Sequence, residues 1–238
     1  MTRWLIVNAD DLGFSRGINR GIAECHEHGI VTSSSLMVDR PGAAEAAAYA
    51  RAHPELGVGL HLELRGPRPL RREPSREQIE TEVRRQLDRF RRLVAREPTH
   101  LDSHRHVHRR DPARSVVAAL ARELGVAARD VDPLVTHCGE FYGQTYGRIY
   151  STRSNPDAVS ADALIGLLET LPEGVTELCC HPGYADDLAP PFRREPYRAE
   201  RPLEVRALCD PRVREAVEQL EVQLCTFADL APLRVRSS

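Results

Sequence analysis

The 238-residue sequence has no long hydrophobic run, so no part of it reads as a membrane-spanning helix. After Met1-Thr2-Arg3 it also lacks the apolar segment and small-residue cleavage site of a signal peptide, which sets the expectation of a cytoplasmic protein. Its six cysteines, Cys25, Cys138, Cys179, Cys180, Cys209 and Cys225, show no CxxC spacing and read as reduced, mostly buried small hydrophobes. An excess of charge of one sign is missing too. Lys plus Arg number 33 against 35 Asp plus Glu, which leaves no electrostatic footprint for a nucleic acid. The densest basic stretch, Arg84 to Arg92, interleaves with Glu82 and Asp88 and reads as a solvated helix face. No repeat or low-complexity segment divides the chain. With 41% hydrophobic residues it has enough apolar material for one sizeable core, so residues 1–238 are expected to form a single domain.

What is present is an alternation of short apolar runs with helical stretches. Strands are expected at Trp4 to Val7, Ser33 to Val38, Val58 to Leu64, through Leu101, and at Leu134 to Thr136, Val175 to Cys180 and Val222 to Phe227. Helices are expected after Ser15 as cap, then at Ala43 to Ala52, Arg76 to Arg96, Ala113 to Leu124, Ala161 to Leu171 and Glu200 to Leu220. Gly66 to Pro74 reads as a loop and Cys138 to Pro156 as a longer irregular segment. Seven strands with helices between them imply parallel pairing with right-handed crossovers. A barrel and an open doubly wound sheet both satisfy that pattern.

The first apolar run closes on Asn8-Ala9-Asp10-Asp11. Two acids at the C-terminal end of a strand stand where parallel sheets and barrels place their ligands, although an Asp there also serves as an ordinary helix cap. Consecutive strand side chains point opposite ways, so the two carboxylates are expected to do different jobs. His61 and His104 likewise end apolar stretches. Asp11, His61 and His104 then make a two-His, one-carboxylate set that suits one divalent ion, either Mg, Zn or another first-row divalent metal. Such a set supports hydrolysis or oxidative chemistry. Hydrolysis fits better, because Asp10 is a spare carboxylate to take a proton from water and His181 can return one to a leaving group. His104, His106 and His108 alternate, which on a strand places all three on one face, with His104 the ligand and His106 lining the pocket. His100 and His137 are expected to serve other roles than ligation. Phe141, Tyr142, Tyr146 and Tyr150 offer flat rings for sugar faces, or a packed loop.

These residues carry a resemblance to the YdjC-like carbohydrate deacetylases. The matching motifs are Asn8-Ala9-Asp10-Asp11-Leu12-Gly13, Gly59-Leu60-His61-Leu62, Thr99-His100-Leu101-Asp102-Ser103-His104 with His106 and His108, Glu140-Phe141-Tyr142-Gly143-Gln144, and Glu177-Leu178 through His181-Pro182-Gly183-Tyr184. The resemblance implies a distorted, TIM-like barrel of about seven parallel strands. It also implies a metal held by Asp11, His61 and His104, and removal of the acetyl group from an N-acetylated sugar, either an oligosaccharide or a lipid-linked amino sugar. Asp10 becomes the general base and His181 the general acid, with Phe141, Tyr142, His106 and Tyr184 toward the substrate. Asp102 or Glu63 is expected to orient a ligand imidazole. The competing expectation is a sugar-binding or regulatory protein that keeps the pocket without turnover. A homodimer is the default assembly.

Overall fold

The computed structural model describes residues 2–64, 74–146, 152–187 and 197–230. Strand β1, Arg3–Leu12, is buried from Leu5 onward, as a strand covered on both faces must be. It leads into helix α1, Arg16–Glu27, where the Ser15 hydroxyl accepts the Ile18 N–H at 3.2 Å and Ile18, Ile22 and Cys25 face the core. Then follow β2 Ser33–Leu36, α2 Ala43–Ala52, β3 Gly57–Leu62, α3 Arg76–Val94 and β4 His100–Ser103. Helix α4, Ala113–Leu124, precedes β5 Ala127–Ala128 and β6 Val135–Cys138. After the pair β7 Gln144–Tyr146 and β8 Thr152–Ser154 come α5 Ala161–Glu169, β9 Gly174–Cys180, α6 Arg201–Leu208, α7 Pro211–Gln219 and β10 Gln223–Leu224.

Seven parallel strands run in the order β5-β4-β3-β2-β1-β9-β6, curled as an open, distorted TIM-like barrel with helices around it. The strand ends that carry Asp11, His61 and Ser103 therefore meet at one rim. No described helix is long and apolar enough to cross a membrane. All six cysteines are unpaired.

Four details depart from the sequence pattern. The expected strand at Val222 to Phe227 is reduced to two residues that pair with Trp4 and Leu5, below the point where β2 joins β1. The seventh strand is instead β5, at the edge beside β4 and too short to show a period. The expected helix at Glu200 to Leu220 breaks at Asp210, whose carboxylate caps α7 while Pro211 occupies its first turn. The segment expected to be irregular contains an antiparallel pair, Gln144 opposite Ser154 and Tyr146 opposite Thr152. The Arg-rich loop falls on 65–73 and Tyr150 on 147–151, outside the described residues.

Candidate active site

The two adjacent aspartates do not diverge as strand alternation predicts. The pairing of β1 with β2 shifts register between Ala9 and Leu12, and Asp11 takes a left-handed φ of 69°. A bulge of this kind re-aims a side chain, and here it turns both carboxylates into one cluster. Asp10 and Asp11 are 2% and 1% exposed.

Asp11 Oδ1 lies 3.1 Å from His104 Nδ1 and 3.5 Å from His61 Nε2, while its Oδ2 accepts from Arg201 Nη2 at 2.5 Å. Strand β3 brings His61 in, its ring fixed by an Nδ1–H donated to Asp102 Oδ1 at 2.8 Å. That bond leaves Nε2 with no hydrogen-bond partner, buried and aimed at the acid. Burial opposes a proton on His61, but Asp102, Asp10 and Asp11 outweigh it and hold the pKa up at about 9, so Nε2 holds a proton that a divalent ion binding there would displace. The same negative surroundings favour a cation. Asp10, Asp11, Asp102 and Glu177 face only two guanidiniums, Arg129 and Arg201, so an acidic excess remains. Asp11, His61 and His104 can offer ligand atoms within 4.8 Å of one another. Of the two orienting acids considered, Asp102 does the work; Glu63 is engaged by Arg40.

Asp10 is held differently. Arg129, at the end of β5, donates Nη1 to its Oδ2 at 2.8 Å and Nη2 to its Oδ1 at 2.7 Å, and Asn8 donates to Oδ1 at 2.9 Å. Burial would raise this carboxyl, yet the Arg129 guanidinium keeps it well below the usual range. The less crowded oxygen, Oδ2, looks toward His181 Nε2, 3.9 Å away. Burial pushes the His181 pKa down to about 4, and its Nδ1 has no partner. The ring is framed by two tyrosines, Tyr142 at 5.5 Å and Tyr197 at 5.6 Å, which stack on each other at 4.4 Å. Glu204 fixes the corner beneath by accepting the His181 N–H and the Tyr197 O–H. Helix α1 comes close enough to allow this turn only because it carries glycine: a Cβ on Gly21 would lie 2.5 Å from Gly183 Cα.

The histidine triplet is not a strand. Strand β4 ends at Ser103, whose hydroxyl takes the His108 N–H at 3.0 Å and pairs with its ring at 2.6 Å. This closes a 3₁₀ turn with Arg105 and His106 in the left-handed region. The three rings consequently separate: His104 goes to Asp11, His106 packs 5.6 Å from His137, and His108 donates to the Arg129 carbonyl at 3.0 Å. Phe141 is fully buried in the hydrophobic core and presents no ring face to a sugar. Tyr184 turns away, its hydroxyl on Glu24 at 2.8 Å and its ring under Arg20. His100 stacks on Phe227 at 3.9 Å, apart from the ligands. Arg129, Arg201, Tyr197 and Glu204 escaped the sequence reading. Among 33 basic residues nothing local distinguishes the two arginines that become buried.

A family model described as YdjC-like protein matches residues 4–219. A carbohydrate deacetylase from Geobacillus stearothermophilus is 35% identical over 98% of this chain and all of its own length. A chitooligosaccharide deacetylase from Proteus mirabilis is 33% identical over 97% of this chain and all of its own. Among solved structures, a putative cellobiose-phosphate cleavage protein from Enterococcus faecalis superposes with a TM-score of 0.81 at 25% identity, covering 97% of this chain and 99% of that one. A family 4 carbohydrate esterase from Streptomyces lividans shares the fold with a TM-score of 0.56 at 15% identity, over 94% and 91% of the two chains.

Proposed function

The chain belongs to the YdjC-like protein family, and on that premise we propose that it is a metal-dependent carbohydrate N-deacetylase. The observation that carries the reading is the fixed orientation of His61, with Nδ1–H on Asp102 and an unpartnered Nε2 facing Asp11. An imidazole held this way offers a lone pair once an ion displaces its Nε2 proton, and the donor set of two nitrogens and one carboxylate oxygen suits a divalent ion. Bound by Asp11, His61 and His104, the ion supplies Lewis acidity to a water and to the acetyl carbonyl.

The remaining chemistry falls to the chain's own groups. Asp10 Oδ2, ionised because Arg129 holds it so, takes the proton from the attacking water. His181 is neutral at rest and needs a proton before it can give one to the departing nitrogen; Asp10 is the charged acid nearest to it, at 3.9 Å. Proton flow from water to Asp10 to His181 to the amine nitrogen balances the hydrolysis of the amide to acetate and a free amino sugar. Tyr142, backed by the buried Tyr197, furnishes the aromatic face beside the scissile bond.

The test is acetate release from a panel of N-acetylated sugars, mono- to oligosaccharide and lipid-linked, by protein stripped of metal and reloaded with single divalent ions. Release that needs the ion and vanishes in Asp10→Asn supports the assignment. Sugar binding without release under every ion defeats it.

A further inference from the structure

Among the described residues, one other cluster of metal-ligating side chains lies apart from the catalytic rim: His26, His53 and Glu55. His26 sits in the last turn of α1, His53 caps the C-terminal end of α2, and Glu55 follows two residues later. These helix ends lead into β2 and β3, so the cluster stands at the opposite end of the sheet from Asp11, His61 and His104. The deacetylase reading gives it no role.

Its geometry is that of a partial coordination shell. His26 Nδ1 lies 3.1 Å from the Val31 carbonyl oxygen, which can only accept, so that nitrogen carries the proton. The lone pair is thereby on Nε2, and Nε2 points at Glu55 Oε1, 3.4 Å away. A lone pair facing a carboxylate oxygen calls for a positive centre between them, a proton or a metal ion. His53 Nδ1 approaches the same oxygen at 3.1 Å. Ligands on a tetrahedral ion with bonds of about 2.0–2.1 Å stand roughly 3.3 Å apart, so both separations fit. Tyr49 stacks on the His53 ring at 4.1 Å and holds its plane. The Val31 carbonyl serves His26 as the outer partner that ligand imidazoles commonly have. The C-terminal ends of two helices add partial negative charge, which favours a cation.

We propose that His26, His53 and Glu55 form a second divalent-metal site of the Zn²⁺ type, open to solvent at its fourth position. Two imidazoles and one carboxylate select a borderline ion over Mg²⁺ or Ca²⁺, which prefer oxygen shells. Because its ligands come from α1 and from the turn after α2, the bound ion braces these two helices against each other and stabilises the fold without touching the reaction.

The experiment is a Zn²⁺ count by elemental analysis after equilibrium dialysis of the purified full chain, on wild type, His26→Gln, His53→Gln and Glu55→Gln. Each substitution leaves the catalytic ligands intact, so the difference from wild type reads this site whatever the catalytic site binds. The expected result is the loss of one equivalent, or a weakening of that equivalent by about tenfold or more, in each variant. The Zn²⁺-dependent rise in Tm should shrink in parallel. Equal counts and affinities in all four proteins would reduce the cluster to a surface ion pair and overturn the proposal.

Discussion

Arg129 and Asp10 meet fork to fork, with both carboxylate oxygens taken by the two terminal nitrogens at 2.8 and 2.7 Å and both side chains buried. The same guanidinium also touches Asp102 at 3.0 Å and Glu177 at 2.6 Å. One buried cation thus answers for three carboxylates, one facing His181 and one that orients His61.

Removing that cation should be costly. Arg129→Met is expected to destabilise the protein by about 3–5 kcal/mol, since it leaves buried charges unpaired. Arg129→Lys keeps the charge without the fork, so it should fold with less loss while kcat falls and KM changes little. Denaturant midpoints and steady-state kinetics on the two variants check this; wild-type kcat in Arg129→Lys would remove the arginine from the positioning of Asp10.

The two neighbouring aspartates should separate by phenotype. Asp11→Ala and His104→Ala are expected to lose the catalytic metal, whereas Asp10→Asn should retain it and lose turnover. Elemental analysis beside an acetate-release assay decides, and equal metal loss in all three would overturn the division of labour.

His181→Ala should keep metal and sugar binding while kcat drops by roughly 10²-fold or more, the usual contribution of a positioned proton donor. An unchanged rate would take His181 out of the mechanism.

Two glycines should respond in opposite directions. Gly21→Ala places a Cβ 2.5 Å from the Gly183 backbone, so it should cost about 1–3 kcal/mol and displace the turn that carries His181. Gly166→Ala in α5 meets nothing within 4 Å and should stabilise by about 0.5–1 kcal/mol through helix propensity. Thermal melts with an activity assay compare them.

His100 supplies an acid-limb prediction. Burial holds its pKa at about 4 against an ordinary 6.5, so the proton binds the unfolded chain more tightly. Its contribution is complete above about pH 6.5 and is lost as pH falls toward 4, at most about 3 kcal/mol. Melting curves across that window should be flatter in His100→Phe than in wild type. Parallel curves would show that His100 does not set the slope.

The sequence by itself determined the alternation of strand and helix, because the periods of burial are local and Ser15 announces its helix in the chain. It also determined the candidate ligands Asp11, His61 and His104, since metal-ligating residue types closing apolar strands are visible one at a time, and the same holds for Asp10 and His181. Tertiary structure decided the rest. The bulge at Asp11 comes from how β1 pairs with β2, and it turns a carboxylate that alternation would have sent the other way. The Ser103 turn replaces a histidine strand with three diverging rings. Arg129 and Arg201 become counter-ions only where β5 and α6 bring them among buried acids, a long-range fact with no local signature. Phe141 shows the converse. Its aromatic ring suited a sugar in sequence, but burial in the core closed both faces. Charge pairing and burial depend on residues far apart in the chain, so they are settled only when the strands meet.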